Sequence, residues 1–469
     1  MIRRSTKRPV AHCAALALAG GLTAAIIIAG ASSAGHAESL DDALISAYQN
    51  NPSLLAERAS LRATDEGVAS ALSGWRPTIQ IDGDAGFSET ETTTVSGGFT
   101  SKTETSLRPR SFSLSVTEPL YRGGRTTAET RAAQNLVDSG RADLASAEQT
   151  VLFNAVTAYM TVLSSQSVVS LNRHNERVVG RQHQAAQDRF EVGEVTRTDV
   201  AQAEARVAQA KADRISAEGN LISARATYRQ IVGDLPGTLV WPRPLAGVPT
   251  SERNALQAAN VANPAIIGAD FAELAARDDI DVAFSDLLPQ VSLTGGFDRS
   301  YDLSAAIEQA DSLSLSAIVR VPLYQSGAEH ASVRRSKQIA SQRRLEFEEA
   351  RRAVLEEVTR AWEALITARA KITAFESQVR AAELALEGVE QETLVGLRTT
   401  LDVLDAEQEL FTARVNLVGA ERDAVVSSYW VKSTVGELTV AALGLAVEQY
   451  DADRHYREVE EKWFGIEVD

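Results

Sequence analysis

Cysteine is almost absent. The only one among 469 residues, Cys13, lies in an apolar N-terminal stretch, so the rest of the chain has no disulfide and its stability must come from packing. Aromatic residues are few, at 6%. Long stretches are dominated by Ala, Ser, Gln, Glu and Arg, a bias that suits extended helices more than a globular enzyme core. Proline is missing between Pro119 and Pro236, and again from Pro322 to the end. Beyond the N-terminus no run of 18 apolar residues occurs, which excludes a transmembrane helix there. If the chain crosses a membrane, it must do so as a closed β-barrel. Histidine outside the first 37 residues is limited to His174, His183, His330 and His455, without metal-ligand spacing. His174 and His183, nine apart on a helical pattern, read as surface residues. No HExxH, GxSxG, GxxxxGK[ST] or GxGxxG is present, so no enzymatic activity, metal or cofactor is expected.

The first residues read as an export signal. Arg3, Arg4, Lys7 and Arg8 form a basic start, Ala14 to Ala31 is apolar, and small residues lead to Ala37. Cleavage after Ala37 places Gly35 and Ala37 at the two positions that must be small; a cut after Ala34 also fits. Cys13 is a poor lipidation site, because no apolar stretch precedes it. Loss of residues 1–37 leaves 43 basic against 63 acidic residues. So acidic a chain lacks the basic surface that nucleic-acid binding needs.

What is present is a sequence written twice. Asn51-Pro52 matches Asn263-Pro264, and Arg76-Pro77 matches Leu288-Pro289, both 212 residues apart. From there the offset is 203: Pro119 with Pro322, Tyr121 with Tyr324, Gly124 with Gly327, Tyr159 with Trp362, Gly193 with Gly396, Asp199 with Asp402, Glu204 with Glu407 and Gly233 with Gly436. A single gap of nine residues between Pro77 and Pro119 reconciles the two offsets. The copies span 38–235 and 255–436, joined by a linker at 236–254 and followed by 437–469. Each predicts a helix, two strands, a long helix and a second helix. The first helix spans roughly Leu40 to Gly74 with a break near Pro52, and in the second copy Ala255 to Leu287 with a break near Pro264.

The strands, expected at about 78–90, 107–120, 290–301 and 311–323, alternate in polarity. Ile79, Ile81, Ala85 and Phe87 oppose Gln80, Asp82, Asp84 and Ser88. Phe112, Leu114 and Val116 oppose Ser111, Ser113, Ser115 and Thr117. In the second copy Val291, Leu293 and Phe297 oppose Ser292, Thr294 and Asp298, and Leu313, Leu315, Ala317 and Val319 oppose Ser312, Ser314 and Ser316. Runs of about ten residues cross a bilayer when tilted. Trp75, Tyr121 and Tyr324 stand at strand ends, where an interfacial girdle would lie. Alternation alone fits a soluble sandwich with one wet face equally well. The stretch Thr90 to Ser106, rich in Thr, Ser and Gly, reads as an exposed loop at the hairpin tip.

After Gly124 and Gly327 the period changes to about 3.6. Leu144, Val151, Ala155, Ala158, Val162 and Val169 have apolar counterparts in Phe347, Val354, Val358, Ala361, Leu365 and Ile372. Each long helix should run about 65 residues, about 100 Å at 1.5 Å per residue, and needs packing partners throughout. Ala203, Ala210, Ala217 and Ala224 on the following helix allow close approach. A soluble sandwich has no use for two such helices; a barrel standing on a helical tube does.

The segment Gly396-Leu397-Arg398-Thr399-Thr400-Leu401-Asp402-Val403-Leu404-Asp405-Ala406 resembles the turn and helix start of TolC-family outer-membrane efflux proteins. Its partner is Arg189-Phe190-Glu191-Val192-Gly193 followed by Thr198-Asp199-Val200. The joints Pro119-Leu120-Tyr121-Arg122-Gly123-Gly124 and Pro322-Leu323-Tyr324-Gln325-Ser326-Gly327 look like the same family. The resemblance covers about Ser39 to Leu445.

It implies a homotrimer of mixed α and β structure, mainly long helices. A 12-stranded barrel in outer-membrane lipid would continue into a periplasmic helical barrel. An equatorial belt would come from Asp234–Asn254 and from 437–469, the latter expected as a helix and tail. It further implies a passive exit duct for efflux or type I secretion. The duct would be opened by a periplasmic adaptor and an inner-membrane pump of RND, ABC or MFS type. Val192, Gly193, Val395, Gly396 and Leu397 are then the adaptor-docking residues. Asp402 and Asp405 are three apart, on one helix face. In a trimer they would form two carboxylate rings at the periplasmic gate. Charges about 8 Å apart in water repel by only about 0.5 kcal/mol, enough to select cations but not to close a channel. Closure is assigned by resemblance to Arg398, tied to Thr198 and Asp199 of the first copy; the alternative is a local pair with Asp402, four residues on. The family tyrosine three residues before this glycine is Thr393 here, which predicts an easier opening. The reading from another class is a periplasmic coiled-coil structural or adaptor protein.

Overall fold

A computed structural model describes residues 38–243 and 245–467. The expected export signal lies outside them. The first copy holds α1 (Leu40–Asn50), α2 (Pro52–Leu72), β1 (Thr78–Ala85), β2 (Ser88–Ser96), β3 (Phe99–Leu107), β4 (Arg110–Arg122), α3 (Arg125–Glu191) and α4 (Arg197–Val232). The second holds α5 (Glu252–Ala262), α6 (Pro264–Ser285), β5 (Gln290–Ser304), β6 (Ile307–Arg320), α7 (Ala328–Leu394) and α8 (Thr400–Thr434), followed by α9 (Arg454–Val459). Among the described residues no helix is long and apolar enough to cross a membrane.

The break before each Pro is built the same way twice. Asn51 caps α2 through its side chain, accepting from the Ser53 amide at 2.9 Å, while its Nδ2 donates to the Ile231 carbonyl at the end of α4 at 2.9 Å. Asn263 accepts from Ala265 N at 2.9 Å and donates to Thr434 O at the end of α8 at 2.8 Å. Proline at the first helical position costs nothing, since that amide has no helical partner. The Asn-Pro pair therefore both starts a helix and ties it to the far end of its own copy.

β1, β4, β5 and β6 form one antiparallel sheet in the order β1-β4-β5-β6. Its register places Ile79 opposite Val116, Ile81 opposite Leu114, Leu114 opposite Phe297 and Phe297 opposite Leu313. Residues directly opposite share a face, so the apolar members of all four strands lie on one side. Asp82, Ser113, Asp298 and Ser312 are aligned on the other.

Two expectations need correction. The loop at Thr90–Ser106 is a β-hairpin, with Ser88 to Ser96 paired on Phe99 to Leu107. Thr is β-branched and favours extended backbone. Gly97 and Gly98, at φ 55° and 84°, supply the tight turn that joins such strands. The expected equatorial helix after 436 is a series of turns. Helix occurs only later, in the short α9.

The principal core lies where α1, the middle of α3, the end of α4 and the segment after α8 meet. It contains Leu44, Leu152, Tyr159, Met160, Tyr228 and Leu438, all fully buried. The Tyr159 hydroxyl lies 2.9 Å from Glu38 O and 2.7 Å from Val240 O, either of which can accept its hydrogen, and accepts from Val240 N at 3.0 Å, which pins the linker against α3. Every member of the predicted stripe from Leu144 to Val169 is buried, as are Ala203, Ala210, Ala217 and Ala224.

Candidate functional site at the helix tips

Each long helix ends in the same turn. Glu194 N donates to Arg189 O at 2.8 Å and Gly193 N to Phe190 O at 3.0 Å; Leu397 N and Gly396 N do the same to Glu392 O and Thr393 O, at 2.9 and 3.1 Å. The chain reverses through Gly193 and Gly396 at φ 82° and 77°, where a side chain would be strained. The following helix begins with a capping box in both copies. Thr196 accepts from the Asp199 amide while Asp199 Oδ2 accepts from Thr196 N at 2.8 Å, and Thr399 with Asp402 repeats the geometry at 2.8 Å. The turns leave apolar side chains in water: Val192, Val395 and Leu397 are 72, 71 and 76% exposed.

The structure brings the two tips together. Arg189, Thr196 and Asp199 from the first copy and Thr393, Arg398 and Thr399 from the second line one cleft. Within it Arg398 makes local contacts, among them the pair with Asp402 that the sequence offered as the alternative. Arg398 Nε donates to Glu392 Oε2 at 2.9 Å, and its Nη1 lies 3.9 Å from Asp402 Oδ1. Its protonated form is held by Glu392 first and Asp402 second. The structure does not pair it with Thr198 or Asp199 in the same chain: Thr198 is exposed on the first turn of α4, and Asp199 serves its cap.

Asp402 is likewise a cap, and the hydrogen bonds from Thr399 hold its carboxyl below the ordinary carboxylate value. Asp405 accepts from Arg206 Nη2 at 2.7 Å, joining α8 to α4. The Thr393 hydroxyl is turned back onto its own helix, donating to Val389 O at 2.7 Å.

Sequence reasoning missed Arg206 and Glu392. Arg206 stands 199 residues from Asp405, so no local spacing announces the pair. Glu392 precedes Arg398 by six, a distance bridged only because the turn at Gly396 folds the chain back. The capping boxes were missed as well, although Thr-x-x-Asp in both copies is a signal that could have found them.

A sheet with one apolar and one polar face, continued by helices of 67 residues that end in paired turns, defines a membrane-barrel protomer standing on a helical conduit. The chain belongs to the outer membrane efflux protein family, whose sequence model matches residues 43–234 and 255–436. It is 36% identical over 450 residues to the outer membrane efflux protein BepC of Brucella suis, covering 95% of this chain and 96% of that one. It is 27% identical to the outer membrane protein TolC of Escherichia coli, covering 88% and 85%. Among solved structures, the Campylobacter jejuni CmeC outer membrane channel shares the fold with a TM-score of 0.74 at 16% identity, covering 90% of this chain and 89% of that one. The protein is an outer-membrane exit duct with a long periplasmic extension, of a family of transport proteins and not of enzymes. The adaptor reading gives way to this one.

Proposed function

We propose that three copies close into a gated duct whose periplasmic mouth is the tip cleft. The observation that carries this is the sheet order. β1 and β6 are its outer strands, and an outer strand presents unpaired backbone groups that lipid cannot satisfy. Pairing β6 of one copy with β1 of the next repeats head to tail and closes after three, giving twelve strands. The apolar face then meets lipid and the serine- and aspartate-rich face lines the lumen. On the helical side α4 and α7 are the flanks. Ile215 and Ile222 on one, and Leu345 and Leu384 on the other, are exposed in the single chain and become interface residues on closure.

At the mouth, Val192, Gly193, Val395, Gly396 and Leu397 are the contacts for a periplasmic adaptor, because they present apolar side chains and turn backbone with no protein over them. The adaptor couples the duct to an inner-membrane pump of RND, ABC or MFS type, which selects the cargo. The gate is Arg398 with Glu392 and Asp402, reinforced by Arg206–Asp405, which holds the first-copy tip to the second-copy tip. Asp199 and Thr198 are then available only to an Arg398 of a neighbouring protomer. The test is single-channel conductance of the purified protein in a planar bilayer. A small cation-selective wild-type conductance that rises in Arg398→Ser supports duct and gate. An unchanged mutant removes Arg398 from the gate, and no current in either form would refute the channel.

A further inference from the structure

The tail beyond the second copy is not part of either repeat, and apart from the equatorial belt expected of 437–469 the duct reading gives its last residues no role. Its course is fixed by specific contacts. Tyr450 N donates to Tyr48 Oη of α1 at 3.0 Å. Arg141 of α3 binds Asp453 at 2.6 Å and lies 5.3 Å from the ring of Tyr456. His455 Nε2 is 3.5 Å from Glu66 on α2. Past α9, Arg76 donates to the Lys462 carbonyl at 2.8 Å and its guanidinium stacks 4.8 Å from the ring of Trp463. The tail therefore follows α2 from the belt to the residue that stands two positions before β1.

At that level it carries Trp463, Phe464 and Ile466, which are 58, 87 and 98% exposed. Trp463 and Phe464 lie side by side, 6.5 Å between ring centres. Three large apolar side chains in water at the end of a charged peptide need a cover. The base of the barrel supplies the context: Trp75 and Tyr121 are exposed at the same strand–helix junction, and Ile79 on the apolar face lies three residues from Arg76, about 10 Å along a strand.

We propose that Trp463, Phe464 and Ile466 form a membrane-interface foot, inserted at the headgroup–acyl boundary of the phospholipid leaflet that faces the periplasm. The inference rests on the barrel's position in the outer membrane. Aromatic side chains with an apolar body and a polar edge concentrate at that boundary. The attraction is apolar: Asp451, Asp453, Glu458, Glu460, Glu461 and Glu467 outnumber Arg454, Arg457 and Lys462. Binding therefore needs no anionic lipid and is insensitive to salt. Arg76, seated behind the Trp463 ring, sets the depth of the foot relative to β1.

The test uses the full protein reconstituted in phosphatidylcholine bilayers brominated on the acyl chains, comparing wild type with Trp463→Phe and Trp75→Phe. Wild type should lose tryptophan emission to brominated lipid, and part of that loss should vanish in each variant. Phe464→Ser with Ile466→Ser should shift the Trp463 emission to the red and remove its share of the quenching. If Trp75 is quenched by lipid but Trp463 only by aqueous iodide, the tail lies in water and the foot is wrong. Shielding of Trp463 from both quenchers would place it against a neighbouring subunit and equally overturn the proposal. Absence of lipid quenching at Trp75 as well would sink the barrel position itself, and the foot with it.

Discussion

The two copies share a plan and differ in what surrounds their long helix. In the first, α3 is enclosed by α1, α2, α4, α6 and α8, and its buried residues extend from Thr126 to Ala186. In the second, α7 meets α5, α6 and α8, and buries only eight residues along the same length. Phe347 and Ile372, counterparts of the buried Leu144 and Val169, are only half covered. Duplication thus supplied one helix that finishes its packing inside the chain and another whose free flank is left for a second chain. Equal sequence patterns do not make equal cores; neighbours do.

This contrast can be broken by substitution at matched positions. The largest effect is expected at Tyr159, fully buried and bonded to Glu38 and Val240. Tyr159→Ala should cost about 3–5 kcal/mol. Trp362→Ala, at the half-buried matching site, should cost about 1–2 kcal/mol. Thermal unfolding in detergent ranks the two, and equal losses would end the idea that the first copy carries the core.

A second contrast involves charge. Asp65 of α2 is completely buried beneath the tail, with both carboxylate oxygens unpaired, whereas its counterpart Arg277 is exposed and paired with Glu273. Burial pushes the Asp65 carboxyl up to about 6, an effect only partly offset by His455 and Arg141 and assisted by Asp453 and Glu66. A raised carboxyl keeps its proton in the folded chain after the unfolded chain has released it. Its contribution is therefore fully present below the ordinary value of 3.8 and lost as pH rises through about 6. Asp65→Asn should match wild type near pH 4 and exceed it by up to about 3 kcal/mol above pH 6. Unfolding measured across that range checks it.

The tips should behave alike, since their caps are the same. Thr196→Ala and Thr399→Ala should each cost about 1 kcal/mol, read as faster amide exchange in the first turn of α4 or α8. The smallest effect on stability is expected from Arg206→Ala, which breaks an exposed pair with Asp405 worth roughly 0.2–1 kcal/mol. Its consequence should appear as a higher open probability, sharpening the distinction between a contact that holds the fold and one that holds the gate.

Much of this architecture is legible from residue order. The Asn-Pro pairs announce both helix breaks because Asn caps and Pro starts a helix whatever lies around them. The strand faces follow from a period of two, and the glycine turns from the need for positive φ. The hairpin at Thr90–Ser106 was missed because its strands bury nothing, so polarity gave no alternation to read, and only the Gly-Gly turn marked it. At the tips, Asp199 and Asp402 could be recognised as important but not assigned, because a carboxylate in a Thr-x-x-Asp sequence suits a cap and a gate alike.

The sequence by itself determined the duplication, the helix lengths, the two-faced strands and the turns, since each depends on interactions within a few residues or on a short period. Only the tertiary structure decided that Arg398 lies on Glu392, that Arg206 answers Asp405, and that the tail follows α2 to Arg76. Those contacts join positions brought together by chain reversal and packing, and no local spacing encodes which charged or aromatic group will stand opposite another.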